Sequence, residues 1–264
     1  MGFSDLRDKV VIVTGASMGI GRAIAERFVD EGSKVIDLSI HDPGEAKYDH
    51  IECDVTNPDQ VKASIDHIFK EYGSISVLVN NAGIESYGKI ESMSMGEWRR
   101  IIDVNLFGYY YASKFAIPYM IRSRDPSIVN ISSVQASIIT KNASAYVTSK
   151  HAVIGLTKSI ALDYAPLLRC NAVCPATIDT PLVRKAAELE VGSDPMRIEK
   201  KISEWGHEHP MQRIGKPQEV ASAVAFLASR EASFITGTCL YVDGGLSIRA
   251  PISTPELEHH HHHH

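Results

Sequence analysis

Short apolar runs alternate with longer amphipathic stretches along the chain. The short runs are rich in valine and isoleucine and are continuously apolar, which is typical of strands that are covered on both faces. They occupy residues 10–13, 34–38, 50–54, 77–80, 127–132, 169–174 and 238–242. Seven buried strands separated by helices predict a parallel sheet.

Helical patterns fill the intervals between the strands. They cover residues 19–31, 60–72, 95–123, 145–164 and 217–229. Gly32 and Gly73 directly follow the first two patterns and are expected to end those helices. No repeat or linker divides the chain, so we predict one α/β domain over residues 1–256. Its expected architecture is a Rossmann-type, doubly wound, seven-stranded parallel sheet with helices on both faces.

Two segments depart from this alternation. Residues 180–215 are charged, contain Trp205 and follow a strand's carboxyl end, where open α/β sheets bind ligands. They are interpreted as a substrate lid, with a plain surface excursion as the alternative. Residues 246–256 form a C-terminal tail that could cross to a neighbouring subunit or simply fray. Residues 257–264 have the character of a vector scar and histidine tag.

Composition narrows the classes of function. A formal charge of -5 without a basic run gives no support to a nucleic-acid or anionic-membrane partner. The first residues are polar and unlike a signal peptide, so a cytoplasmic location is expected. The four cysteines are scattered and are expected to be buried core residues. The histidines outside the tag form no ligand pattern, and no metal is expected.

A glycine-rich turn follows the first strand directly. Gly15, Gly19 and Gly21 lie between that strand and a helical pattern, with Ser17, Met18 and Ile20 among them. Glycine allows a tight turn and lets a pyrophosphate approach the amide groups and positive dipole of a helix start. The position of this turn predicts a dinucleotide site.

Several further motifs occur in a defined order. Three residues separate Gly15 from Gly19, Asn80-Asn81-Ala82-Gly83 follows the fourth strand, and Tyr146-x-x-x-Lys150 comes thirteen residues after Ser133. With these motifs the chain resembles the short-chain dehydrogenase/reductase family from Lys9 to Gly245. The resemblance includes Asp54, Asn105, Pro175 and Asp243-Gly244-Gly245. One departure is Ala176, where the family usually has glycine.

The resemblance implies four catalytic residues: Asn105, Ser133, Tyr146 and Lys150. Tyr146 and Lys150 share a helix face, so the ammonium is expected to lower the phenol's pKa and make Tyr146 a general base. Ser133 would bind the reacting oxygen. In the family, Lys150 also binds the nicotinamide ribose, and Asn105 supports a water that connects Lys150 to solvent.

The second strand bears on the choice between NAD and NADP. The position that is usually acidic in NAD enzymes holds Ser39, while Asp37 lies two residues earlier and no cation is positioned for a 2′-phosphate. We expect NAD, with NADP as the weaker alternative. By resemblance, the remaining cofactor contacts are Asp54 and Val55 at the adenine, Asn81 and Gly83 at the adenosine ribose, and Pro175, Ile178 and Thr180 towards the nicotinamide.

Two polar residues indicate the class of substrate. Glu85 follows the Asn-Ala-Gly motif and Gln135 follows Ser133 by two positions, so both are expected in the substrate cavity with Ser133 and Tyr146. A carboxylate and an amide suit vicinal hydroxyls. This pattern is similar to that of the family's glucose and aldohexose 1-dehydrogenases, most of all an archaeal type acting on mannose and glucose. The similarity implies oxidation of a D-aldohexose at C1 to the lactone by a homotetramer.

Two other functions remain open. The first is an NADPH-dependent reductase of a ketone or 3-oxoacyl thioester, against which Glu85 and the lack of an identifiable basic patch near the pocket mouth both argue. The second is a dinucleotide sensor without turnover, because a fold alone does not establish activity. Since all four catalytic residues are present, the sensor is the remoter alternative.

Overall fold

The computed structural model describes residues 2–257, so Met1 and most of the expected tag, residues 258–264, lie outside the described residues. Its strands are β1 (Val10–Thr14), β2 (Lys34–Ser39), β3 (Asp49–Glu52), β4 (Val77–Asn80), β5 (Ser127–Ile131), β6 (Arg169–Pro175) and β7 (Cys239–Val242). They form a parallel seven-stranded sheet in the order β3-β2-β1-β4-β5-β6-β7. This arrangement confirms the predicted fold class.

The structure has eight α-helices within residues 2–257. They are α1 (Gly19–Asp30), α2 (Pro58–Tyr72), α3 (Met95–Ile102), α4 (Gly108–Met120), α5 (Ser144–Tyr164), α6 (Pro181–Val191), α7 (Pro195–His207) and α8 (Pro217–Ala228). As predicted, α2 ends at Gly73, which has a left-handed conformation. Gly32, also at positive φ, follows the end of α1. The N-terminus of α2 is capped by the Asn57 side chain.

Successive side chains of β1 enter two different cores because a strand points alternate residues to opposite faces. Val11 and Val13 pack in the core that contains the buried residues of α1 and α8. Val10 and Ile12 pack in the core that contains those of α2, α4 and the second half of α5. Apolar residues on both faces therefore explain why the strands are continuously apolar.

The predicted helix over residues 95–123 is interrupted. A π-helical turn, Asp103–Phe107, lies between α3 and α4. Its central residue, Asn105, is fully buried and makes hydrogen bonds to a neighbouring loop and to α5. Such a bulge inserts one residue into the helix and often marks a functional site. Helical periodicity alone did not reveal it.

Residues 180–215 contain two helices, α6 and α7. The side chains of Thr180 and Asp194 cap them, and a proline occupies the first turn of each. Arg184 of α6 donates hydrogen bonds to Asp179 and Glu199, so one guanidinium joins the base of the segment to α7. Residues 251–256 of the tail are exposed and have no helix or strand. Among residues 2–257, no helix is long and apolar enough to cross a membrane.

Candidate active site

A cleft of about 840 Å³ opens at the carboxyl ends of the central strands. Its walls come from the turn after β1, the ends of β2, β3 and β4, the π-helical turn and the start of α6. Strand order reverses between β1 and β4, which is where doubly wound sheets bind ligands. The predicted residues on its wall are Gly15, Ser17, Met18, Gly19, Ile20, Gly21, Ser39, Asp54, Val55, Asn81, Gly83, Glu85 and Thr180.

The glycine turn fits a pyrophosphate. Gly15 and Gly19 have φ of +67° and +62°, a region that side chains rarely adopt. A Cβ on Gly21 would overlap with the Gly15 carbonyl oxygen and the Asn81 side chain. Helix α1 begins at Gly19 without a side-chain cap, so its first amide groups are available to an anion. These residues would hold the phosphates of a dinucleotide.

Asp37 has a different position from the one expected. It is fully buried and does not line the cleft. Its Oδ1 accepts a hydrogen bond from the amide of Ala16 at 2.8 Å, and its Oδ2 lies 2.6 Å from Ser39 Oγ and 2.8 Å from His50 Nδ1. Asp37 was expected at the cofactor, but its carboxylate instead supports the glycine turn and Ser39 from behind the cleft wall.

The base of the cleft is tied to the glycine turn by the residues after β4. Asn81 donates a side-chain hydrogen bond to the carbonyl of Gly15 at 3.0 Å, and its amide donates to Thr14 Oγ1 at 2.9 Å. Asp54 Oδ1 accepts hydrogen bonds from both the amide and the hydroxyl of Thr56. These bonds fix the turn and the expected adenine wall relative to the sheet.

Several wall residues were not singled out in the sequence. They include Ile40, His41, Arg99, Arg100 and Leu182. Arg99 and Arg100 are exposed residues of α3, so the cleft carries positive charge that no run of basic residues indicated. Their helix is distant in sequence from the nucleotide motifs, and only the fold brings it to the cleft.

Ser133 and Tyr146 lie together at the carboxyl end of β5. Burial raises the pKa of Tyr146 to about 12, whereas a hydrogen bond with Ser133 lowers it and the charge of Glu85 raises it. The expected depression of this pKa is therefore not found, since loss of water around the phenol outweighs the favourable contact. Ser133 nevertheless lies close enough to the phenol to act on its pKa, as expected of two groups that hold the reacting oxygen together.

Lys150 lies beneath Gly83 and between two aromatic rings. Its Nζ is 5.5 Å from the ring centroid of Tyr146 and 5.8 Å from that of Tyr109, and it donates to the carbonyl of Ile131 at 3.3 Å. Burial lowers the pKa of Lys150 to about 8, although Cys174 and Glu85 oppose that shift. A Cβ on Gly83 would lie 3.7 Å from this Nζ, so the ammonium is close to the cleft wall.

Asn105 is held rigidly in the π-helical turn. Its Oδ1 accepts from the amide of Ile84, while its Nδ2 donates to the carbonyl of Ile84 and to Ser149 Oγ. The side chain therefore connects the loop after β4 to α5, which carries the tyrosine and lysine. Its amide oxygen would be 3.5 Å from a Cβ on Gly83.

The expected substrate residues differ in their exposure. Glu85 is exposed on the cleft wall, and Tyr87 Oη donates to its Oε2 at 3.1 Å. Gln135 does not line the cleft, and its Oε1 accepts from the amide and hydroxyl of Thr140. Pro175 and Ile178, which were expected as cofactor contacts towards the nicotinamide, are buried and do not line the cleft. Glu85 is thus the expected substrate residue that the cleft exposes.

The cysteine and histidine side chains bear on whether the described residues could hold a metal ion. Cys53, Cys170 and Cys174 are buried, as expected, and Cys239 is half-buried. In the part of the chain that the structure describes, no three His, Cys, Asp or Glu side chains cluster as potential metal ligands. The absence of a metal stays a prediction.

Known proteins are similar to this chain both in sequence and in architecture. A family model described as enoyl-(acyl carrier protein) reductase matches residues 15–247. The 3-oxoacyl-[acyl-carrier-protein] reductase of Thermotoga maritima is 38% identical, over 92% of this chain and 99% of its own. Glucose 1-dehydrogenase 2 of Bacillus subtilis is 36% identical, over 93% of this chain and 97% of its own.

A solved structure is more similar still. It is a C-terminal deletion mutant of Thermoplasma acidophilum aldohexose dehydrogenase, with 93% identity and a TM-score of 0.85 over 94% of this chain and all of that one. Levodione reductase has 30% identity and a TM-score of 0.85 over 92% of this chain. The chain is an NAD(P)-dependent oxidoreductase that belongs to the short-chain dehydrogenase/reductase family.

Proposed function

We propose that this enzyme oxidises the C1 hydroxyl of a D-aldohexose such as mannose or glucose to the lactone, with NAD as the acceptor. The observation that carries the proposal is Glu85, whose carboxylate lines the cleft and acts electrostatically on both Tyr146 and Lys150. A carboxylate accepts hydrogen bonds from sugar hydroxyls and is poorly suited to an acyl chain. The similarity to an aldohexose dehydrogenase and a glucose 1-dehydrogenase supports the same substrate class.

The roles proposed for the catalytic residues are those that the family resemblance implies. Ser133 holds the sugar's reacting oxygen beside the phenol, and Tyr146 takes the hydroxyl proton. Lys150, whose Nζ lies 5.5 Å from the centroid of the Tyr146 ring, binds the nicotinamide ribose. Asn105 supports the water through which Lys150 exchanges protons with solvent. A bound nicotinamide supplies the acceptor for the hydride that leaves C1.

Preference for NAD is supported by the bonding of Ser39. Both protein atoms within hydrogen-bond distance of its Oγ, namely Asp37 Oδ2 at 2.6 Å and the His41 carbonyl at 2.9 Å, are acceptors. The Ser39 hydroxyl proton is therefore donated to an acceptor within the protein. Only a lone pair of Ser39 Oγ remains available to a ligand in the cleft. It can accept from a ribose hydroxyl but has no proton to donate to a 2′-phosphate. The buried Asp37 adds negative charge behind it.

Arg22 is a nearby cation that could favour NADP, but its guanidinium is already bonded within the protein. Its guanidinium donates to the carbonyls of Pro43 and Glu45 and to the carboxylate of Glu26. A cation committed in this way is not positioned for a 2′-phosphate.

Reduction of a ketone or 3-oxoacyl thioester with NADPH is the second candidate. It is favoured by Arg99 and Arg100 on the cleft wall, since a pantetheine phosphate would bind such cations, and by the 3-oxoacyl reductase relative. The exposed Glu85 argues against it. The catalytic residues serve either direction equally well.

The deciding experiment measures initial rates with NAD and NADP on D-glucose, D-mannose, D-galactose and a simple secondary alcohol. We expect aldose-dependent NADH formation, and a rise in KM for aldoses in Glu85→Ala with little change for the secondary alcohol. Glu188→Ala, an exposed lid carboxylate, is the matched control. Turnover of a ketone with NADPH and none of any aldose would overturn both the substrate and the cofactor.

Replacement of Tyr146 by phenylalanine separates an enzyme from a sensor. Loss of the proton acceptor is expected to lower kcat about 100- to 10,000-fold. Binding of NADH, followed by calorimetry, is expected to remain within a small factor. If the unmodified protein binds NADH but shows no turnover, and Tyr146→Phe therefore changes nothing, the result would support the sensor.

We propose further that the enzyme is a cytoplasmic homotetramer. Phe107 and Leu162 are 41% and 82% exposed, and burying these apolar side chains between subunits would stabilise the assembly. Light scattering of the purified protein is expected to give four times the subunit mass of 29.0 kDa.

A further inference from the structure

The carbonyl of Ile131, at the end of β5, receives two side-chain donors. Tyr109, a residue of α4 that is 1% exposed, donates its phenol hydrogen to this oxygen at 2.8 Å. The Lys150 Nζ donates to the same oxygen at the longer distance of 3.3 Å. A buried carbonyl is a strong acceptor for an ammonium, because a charge out of water needs a hydrogen-bond partner.

The carbonyl oxygen has two lone pairs and accepts from both donors. Tyr109 makes the shorter bond, so the bond from Lys150 is the weaker of the two. The ammonium instead remains between the rings of Tyr109 and Tyr146, at 5.8 and 5.5 Å from their centroids. The other titratable groups that act on Lys150 are Cys174 from β6 and Glu85 from the loop after β4.

We propose that Tyr109 is a positioning residue for Lys150. By bonding to the Ile131 carbonyl, it prevents this oxygen from drawing the ammonium away from Tyr146 and from the cleft. The inference rests on the proposed role of Lys150 in the reaction and assigns a role to a residue that touches neither substrate nor cofactor. Without the Tyr109 hydroxyl, we expect Lys150 to move towards Ile131.

Tyr109→Phe tests this inference because it removes one oxygen and keeps the ring. Calorimetry is expected to give NADH binding about fivefold weaker, the value of one ordinary hydrogen bond. The midpoint at which kcat/KM for the best alcohol substrate rises with pH is expected to move upward. Tyr164→Phe, at the far end of α5 from the site, is the matched control and should change neither.

A double-mutant cycle distinguishes positioning from a packing effect. If Tyr109 acts through Lys150, the Phe substitution should leave NADH affinity unchanged in a Lys150→Met background. An equal loss of affinity in both backgrounds would overturn the proposal, as would unchanged affinity together with an unchanged pH midpoint. The binding arm needs no sugar, so it decides this inference even if aldoses are not substrates.

Discussion

The shape of the glycine turn depends on contacts that one added methyl group would disrupt. Gly21 is in an ordinary helical conformation, so its requirement for glycine comes from the close approach of Gly15 and Asn81 rather than from backbone strain. The turn also depends on Asp37, whose carboxylate accepts a hydrogen bond from the amide of Ala16. The turn therefore depends on close packing around its glycines as well as on their conformational freedom.

We predict that Gly21→Ala abolishes measurable NADH binding, since the added methyl group would push Gly15 and Asn81 apart. Calorimetric titration with NADH is the measurement. Gly155→Ala in α5 is the control, because nothing lies within 4 Å of its added Cβ. That control should bind normally and gain up to about 1 kcal/mol of stability from helix propensity. Normal binding by Gly21→Ala would mean that the turn opens readily.

An ion pair attaches the segment of residues 180–215 to helix α8. At the far end of the segment, Arg213 forms two hydrogen bonds to Glu219 of α8, at 2.7 and 2.9 Å. Glu219 Oε1 also accepts from the amide of Lys216, which closes the start of α8. Hydrogen bonds first from Arg213 and then from Lys216 hold the pKa of Glu219 at about 2, below its ordinary value of 4.5.

This pKa predicts an acid dependence of stability. Because the carboxyl group has a lower pKa in the folded protein, its contribution is complete above about pH 4.5 and is lost as pH falls towards about 2. Glu219→Gln should therefore lower Tm at neutral pH and reduce the decrease in Tm over that range. High salt should shrink the difference, since the pair is exposed. Glu188→Gln should retain the parent's profile; equal profiles for both variants would contradict the assignment.

Across the whole molecule, the cleft depends on segments that are far apart in sequence. The glycine turn, the π-helical turn and the start of α6 meet only because the sheet order brings their strand ends together. The tail leaves β7 and continues as exposed, irregular chain at residues 251–256. Its apolar and proline content motivates the hypothesis that it covers a neighbouring subunit's site.

Deletion of residues 251–256 tests that hypothesis. If the tail closes the neighbouring cleft, KM for the aldose is expected to rise several-fold and Tm to fall, because both the closure and an intersubunit contact are lost. Removal of residues 257–264 alone is the control. Unchanged KM and Tm after the longer deletion would identify the tail as a frayed terminus.

The sequence by itself determined the sheet and the glycine turn, and through the family resemblance it predicted the catalytic set. Continuous apolar runs can be buried on both faces only as central strands, and the motif spacing follows from local geometry. Only tertiary structure decided the rest. It interrupted the long helix at Asn105, buried Asp37 behind Ser39 and raised the pKa of Tyr146. These outcomes depend on water exclusion and on contacts between distant segments, which no local pattern encodes.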